Sequence, residues 1–307
     1  PIQPVLSTGS AELQIEPLTS GAVRTLIERL SRRAHPDFIE QFADQVEGNP
    51  LYIVTLLQHM FEQGELYVDA DGAWCFTASR GRSLPQTIRD AIERRLQRLN
   101  RHQRRILDLA AVLGGEFDFD VLQEATREPE ESLLTALDDL IDAALIVEPR
   151  RKGRTEFAVA HDRYVEVTYA TLPGVRRRQL HAHAARAIEL VYRSDISTHY
   201  PSLADHFDKA AMPAEASHYA ALAGEQAAAQ FDNTAAVRYL SRALELTPTE
   251  AVEQRARLLL AREKVYDLRG ERASQLRDLE SLAAMTEALI PHQQAEISLR
   301  YAAYLWV

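Results

Sequence analysis

The chain has 307 residues, long enough for two or three domains with cores of their own, and its 46% apolar and 26% charged residues are ordinary for a globular protein. A formal net charge of −10 argues against non-specific attachment of the whole molecule to nucleic acid or anionic lipid, and no apolar run approaches the roughly 18 residues of a membrane span. The single cysteine, Cys75, excludes an internal disulfide framework and fits a reducing cytoplasm; in "AWCF" it reads as a small buried residue of an aromatic strand, not as a nucleophile.

Residues 17 to 63 predict three helices. "PLTSGAVRTLIERL" offers Thr19 or Ser20 as N-cap and places Val23, Leu26, Ile27 and Leu30 at helical spacing. "PDFIEQFADQV" repeats the pattern with Phe38, Ile39, Phe42 and Val46. In "VEGNPLYIVTLLQHM" a Gly48-Asn49-Pro50 turn leads into a helix with apolar Leu51, Val54, Leu57 and Met60; Pro50 suits the first helical position, where its missing N–H is no loss. "GELYVDADGAWCFTA" then alternates around Asp71-Gly72, as a short hairpin does.

Between residues 85 and 173 the order is four helices, a hairpin and a helix. The helices are expected at 86 to 99, 101 to 113, about 118 to 126, and in "PEESLLTALDDLIDAAL"; the hairpin pairs "LIVEP" with "TEFAVA" across the basic turn "RRKGR". Helices followed by a two-stranded wing make a winged helix, a helix-turn-helix relative. From 174 to 307 the chain is alanine-rich and helical. Gly224, Ala236, Ala243 and Pro248 stand at the small-residue and breaker positions of a tetratricopeptide-like unit. A second pair carries Tyr266 and Gly270, at a spacing that sets Glu263 39 residues beyond Gly224 and Ala302 a further step on, so the units are longer than standard, with extended first helices. A generic helical bundle is the alternative for this segment.

No catalytic constellation emerges. The chain has no G-x-x-x-x-G-K-[ST] loop with which to cradle a triphosphate. Asp118 and Asp120 in "GEFDFD" read as capping acids of a helix start. His181 and His183 are two apart on a helix and face different ways, a poor ligand pair. The would-be recognition helix carries Glu130, Glu131, Asp138, Asp139 and Asp142 without a Lys or Arg, so it repels phosphates and lacks the side chains that read bases. Arg150, Arg151, Lys152 and Arg154 of the wing, and the arginines of "ERRLQRLNRHQRR", read as solvated faces.

Taken together, "EGNPLYIVTLL", "LPQTIRDAIERRLQRLNRHQRRILDLAAVLGGEFDFDVL" and "FAVAHDRYVEVTYATLPGVRRRQLHAHAARAIEL" resemble, in that order, the region after the nucleotide-binding core of STAND-class signalling ATPases, above all large LuxR-type regulators and the ATPase modules attached to bacterial cyclases and kinases. The likeness covers nearly the whole chain and rests on the order of short motifs. It implies a mainly α architecture: a helical lid with a short hairpin (1–84), a winged helix (85–173) and a tetratricopeptide-like α-solenoid (174–307). It makes Pro50, in Gly48-Asn49-Pro50, the lid residue that packs on adenine, and His161, in "AHDRY", the residue that reaches the β-phosphate of bound ADP; Ala160 replaces the methionine of the better-known Met-His-Asp form.

The resemblance further implies a cytoplasmic regulatory fragment, without enzymatic activity of its own, of a longer polypeptide whose upstream nucleotide-binding domain takes ATP or ADP with magnesium. The abrupt start at Pro1 and the uncapped helical end "LRYAAYLWV" agree with a fragment. Its partners are then that upstream domain and a protein, peptide or small-molecule signal at the repeats, with no direct nucleic acid and no membrane. Two alternatives remain: an interaction scaffold with no nucleotide role, and a DNA-binding winged-helix regulator.

Overall fold

The computed structural model describes residues 16–31, 39–40, 42–43, 46, 48–62, 64–69, 74–76, 88–148 and 156–306. These are mainly α-helical, with one two-stranded and one three-stranded antiparallel sheet. They fall into two compact units, Pro1–Leu99 and Asn100–Val307.

In the first unit α1 (Ser20–Leu30) starts at Thr19, whose hydroxyl accepts from the Ala22 N–H at 3.2 Å. It buries Val23 and Ile27, whereas Leu30 is left exposed. Of the expected second helix, Ile39, Phe42, Ala43 and Val46 are described and enter the same core, while Phe38 lies outside the described residues. Helix α2 (Pro50–Glu62) buries Ile53, Leu56, Leu57 and Met60, and Val54 is exposed. The buried stripe follows the 3.6-residue period; the three-residue steps from Leu51 through Val54 drift off the core face.

The hairpin pairs β1 (Leu66–Val68) with β2 (Trp74–Phe76), with Tyr67 opposite Cys75, and Trp74 meets Phe61 edge-on at 5.1 Å. The Asp71-Gly72 turn and the segment 77–87 lie outside the described residues. Helix α3 (Ile88–Leu96) contributes Ala91 to this core. Arg95, almost fully buried, donates to Gln58 at 2.5 Å, and Arg98 donates to Glu62 at 2.6 Å. Arg98 also lies 3.2 Å from Nδ1 of His59. Burial, then the charges of Arg98 and Arg94, hold His59 down at about 4.

The second unit opens with α4 (Arg101–Val112), whose Asn100 and Gln103 form a reciprocal capping box. Gly114 and Gly115 both take φ near 97°, a conformation open to glycine, and turn the chain into β3 (Glu116–Asp118). The sequence reading placed the helix that follows at about 118 to 126, where it is found, and did not foresee the three-residue strand before it. "EFDF" alternates with period two, Phe117 pairs with Phe157, and their rings stack at 5.9 Å, so the aromatic face holds this stretch as a strand up to the helix start. Asp118 stands at the N-cap of α5 (Phe119–Thr126) without making a side-chain cap; it accepts the hydroxyl of Tyr192 instead.

Helix α6 (Glu130–Asp142) follows, then β4 (Ile146–Val147), β5 (Glu156–Val159) and α7 (Asp162–Thr171). The sheet order is β3-β5-β4, with Ile146 opposite Val159. The wing's Arg150, Arg151, Lys152 and Arg154 lie outside the described residues. The surface of α6 shows Glu130, Glu131, Asp138, Asp139 and Asp142.

Leu172 and Pro173 alone join α7 to α8 (Gly174–Val191), which pairs with α9 (Tyr200–Lys209) after a 3₁₀ turn at Ile196–His199. Two further pairs follow, α10 (Pro213–Ala229) with α11 (Asn233–Leu246) and α12 (Val252–Arg269) with α13 (Arg272–Met285), then α14 (Pro291–Trp306). First helices of 17 and 18 residues against second helices of 14 match the expected extension.

At Gly224 an added Cβ would lie 2.7 Å from Leu240 Cγ, so α10 and α11 touch where only glycine fits. The equivalent positions of the next pair, 39 residues on, are Glu263 and, for Ala236, Gln275. Both are buried, and the Gln275 amide donates to Glu263 at 2.7 Å, so a polar pair fills a crossing that the preceding pair closes with small residues. Arg300 of α14 completes it with two bonds to Glu263, at 2.7 and 2.9 Å. Ala302, the next step, is exposed on α14.

Candidate functional site

The Gly48-Asn49-Pro50 turn is set by backbone contact. Gly48 has φ 72°, its carbonyl accepts from the Leu18 N–H at 2.8 Å, and a Cβ there would fall 1.9 Å from the Leu18 oxygen. Glycine is therefore dictated twice, by conformation and by space. Asn49 Oδ1 then accepts from Leu51 N at 3.0 Å and Tyr52 N at 3.3 Å, which caps α2, and Pro50 occupies its first turn. Asn49 and Pro50 are both exposed, so the cap presents the pyrrolidine ring to solvent within its own unit.

His161 is the N-cap of α7. Its Nδ1 accepts from the Arg163 N–H at 3.2 Å, and its carbonyl receives the Tyr164 N–H at 2.9 Å. An accepting Nδ1 places the ring proton of the neutral imidazole on Nε2. His161 is exposed, and that second nitrogen has no hydrogen-bond partner among the described residues. Ala160 is exposed too, and its N–H is tied to the Leu145 carbonyl at 2.9 Å, so the approach to His161 is anchored in the sheet. Asn49 and Pro50 belong to the first unit and His161 to the second. Each has a local helix-capping role, and each leaves outward what a ligand could use: an apolar ring face in one case, an N–H donor in the other.

Sequence reasoning missed a second histidine arrangement. His181 of α8 is buried, His183 is exposed, and they diverge as their spacing implied. Nδ1 of His181 lies 2.9 Å from Nδ1 of His206 on α9, and its Nε2 lies 2.9 Å from the Tyr169 hydroxyl on α7. Burial holds both rings down at about 4; for His181 the charges of His206, Lys209 and Arg177 add to it against Asp205, and for His206 Asp205 opposes burial while Lys209 adds to it. The Arg177 guanidinium lies over the Tyr169 ring at 4.5 Å. One proton is shared across the two Nδ1 atoms, so the chain Tyr169–His181–His206 pins the last helix of the winged helix to the first helix pair. The available signal was His206 within the buried face Leu203, Ala204 and Phe207, which calls for a polar partner.

No protein-family model matches the chain. A hybrid signal transduction histidine kinase G of Dictyostelium discoideum is similar over 106 residues at 24% identity, which is 34% of this chain and 3% of that protein. Among solved structures, a STAND protein with a tetratricopeptide repeat sensor from Pyrococcus horikoshii aligns over 99% of this chain and 59% of its own, with 13% identity and a TM-score of 0.34. The chain thus spans a small part of the kinase and under two thirds of the archaeal protein. The fold described above rests on this chain's own elements.

Proposed function

We propose that the chain is the regulatory part of an ATP-dependent signal-transduction switch of the STAND type. In this reading a nucleotide-binding domain of the same polypeptide holds ATP or ADP with magnesium. The Asn49-Pro50 turn and His161 close on bound ADP, Pro50 by packing its ring on the base and His161 by donating from Nε2 to the β-phosphate. A signal at the helix pairs favours the open form, a two-state equilibrium biased by ligands that bind each state differently.

The observation that supports it most is at His161. Its cap both fixes the tautomer and leaves the Nε2–H exposed, on a helix locked to the first helix pair through Tyr169, His181 and His206. A displacement of the helix pairs would therefore be transmitted to His161 by rigid elements. The test is nucleotide retention by the complete polypeptide, with and without His161→Ala. Faster ADP release in the variant is the expected result, and unaltered retention removes His161 from the switch. The chain alone is expected to turn over no ATP; radiolabelled hydrolysis above background by the purified 307-residue chain overturns that.

A further inference from the structure

Of the arginines of "NRHQRR", Arg101 is exposed, as a solvated face would have it, but Arg104 and Arg105 are half-buried. Together with Arg176 of α8 they line a cavity of about 530 Å³ in the second unit, bounded by Arg101, His102, Arg104, Arg105, Asp108, Glu128 and Arg176. Four guanidiniums and an imidazole thus face two carboxylates, in a chain whose net charge is −10. The helix N-terminus is not the donor here, because the Asn100 side chain already takes the His102 and Gln103 N–H groups.

The carboxylates hold the inner cations in place. Arg104 donates to Asp108 at 2.7 Å and to the Thr171 hydroxyl at 2.8 Å. Arg105 donates to Glu128 at 3.2 Å and to the Thr126 carbonyl at 3.1 Å. His102 sits 2.7 Å from the other Glu128 oxygen and 3.2 Å from the Ser132 carbonyl. Arg101 and Arg176, by contrast, make no hydrogen bond or ion pair among the described residues. The positive field of this cluster reaches His183 on the next turns of α8. After partial desolvation, the charges of Arg105, Arg176, Arg127 and Arg186 push its imidazole below the ordinary range.

The geometry points to this cavity as a binding site for an oligophosphate, a ligand bearing two or three linked phosphate groups. Planar guanidiniums match phosphate oxygens in pairs, and a volume of this size lies within the range of small-ligand sites, about 300–1,000 Å³. Two preset forks and two unpartnered ones suit several adjacent anionic groups better than a single one. Among the described residues no Phe, Tyr or Trp lines the cavity, and the His102 ring is held by Glu128 and the Ser132 carbonyl, so the phosphates and not a base carry recognition. The site lies within the second unit and does not depend on the roles proposed for Pro50 and His161.

The experiment is calorimetric titration of the 307-residue chain with sodium triphosphate, ATP and AMP, at low and at high salt. Saturable one-to-one binding of triphosphate, weakened by salt and weakened at least about tenfold in Arg101→Ala/Arg176→Ala, is the expected result. Arg101 and Arg176 make no hydrogen bond or ion pair through their side chains among the described residues, and Asp108, whose carboxylate also feels the Arg176 charge, keeps its bond to Arg104, so melting should change little in the double variant, and Arg101→Lys/Arg176→Lys should recover part of the affinity. Equal affinity for triphosphate and ATP identifies the phosphate chain as the whole determinant; tighter ATP binding that still falls in the double variant assigns a nucleotide as the source. Either supports the site, and AMP is expected to bind far more weakly. The absence of saturable binding at millimolar triphosphate overturns it. So does affinity indifferent to the double variant, or a glutamate-rich peptide that binds more tightly than triphosphate, which would make the cavity a protein interface. None of these outcomes bears on ADP retention through His161.

Discussion

Gly48 and Phe231 show how far single backbone positions decide local stability. Gly48 combines a left-handed φ with an approach to the Leu18 carbonyl that leaves no room for a Cβ. Gly48→Ala is expected to cost about 2 kcal/mol or more, read as a lowered denaturation midpoint, because the strain of φ adds to the clash. Phe231 is the opposite case: it sits at φ 60° in the α10–α11 turn and is 82% exposed, so its ring is largely in water while its backbone is strained. The equivalent position 39 residues on is Gly270, which takes the same conformation at no cost. Phe231→Gly is accordingly expected to stabilise by about 1 kcal/mol, and an unchanged or lowered melting temperature would show that the ring is held by something the turn itself does not reveal. His161 belongs at this scale too. His161→Ala removes the cap of α7 and should cost about 1 kcal/mol in the isolated chain, a loss that His161→Asn largely restores because Asn also caps. A nucleotide role has a different signature, since Asn would not be expected to replace Nε2–H at a phosphate.

Helices with a clear apolar period were legible from the residues, as were the pairing of "LIVEP" with "TEFAVA", whose register the structure sets with Ile146 opposite Val159, and the small-residue crossing at Gly224. What escaped was set by partners remote in sequence. Nothing within "GEFDFD" announces Phe157, yet the Phe117–Phe157 pair is what adds a strand immediately before the helix that starts at Phe119. His206 meets His181 from 25 residues away, and Arg176 reaches the cavity of α4 from another helix, so neither cluster exists until the helices have packed. For the candidate residues the sequence located Pro50 in the first turn of its helix; the caps made by Asn49 and His161, and the exposed donor that the His161 cap leaves, depend on hydrogen bonds that only the folded chain forms. At this scale the crossing of α10 and α11 gives a direct test. Gly224→Ala is expected to cost about 1–3 kcal/mol by overpacking against Leu240, and Leu240→Ala in the same chain should recover part of it, as a thermal denaturation cycle would measure.

Across the molecule the buried imidazoles link stability to pH. His181 and His206 are held at about 4 in the folded chain against 6.5 for a free histidine, so the unfolded state takes up protons first. Their contribution is complete above pH 6.5 and is lost progressively as the pH falls toward 4; His59, also near 4, acts in the same direction from the first unit. Melting temperature between pH 6.5 and 5, a window where most carboxylates stay ionised, should therefore decline, and less steeply in His181→Gln/His206→Gln; equal slopes would mean that the pair does not titrate with unfolding. Glu263 bears on the stack in another way. Its carboxylate is fully buried and needs both Gln275 from its own pair and Arg300 from the next helix, so Glu263→Ala should destabilise by about 3–5 kcal/mol while leaving Arg300 and Gln275 with unmatched donors. A chimera that repeats α10–α11 in place of α12–α13 would offer Arg300 a glycine, and one that repeats α12–α13 in place of α10–α11 would keep Gln275 beside the Glu263 carboxylate but set it against α12, where Ala261 stands at the position of Arg300 and supplies no cation. Neighbouring modules of this stack thus carry an address as well as a shape, and shuffling them should yield misassembled chains even though each piece is the right length.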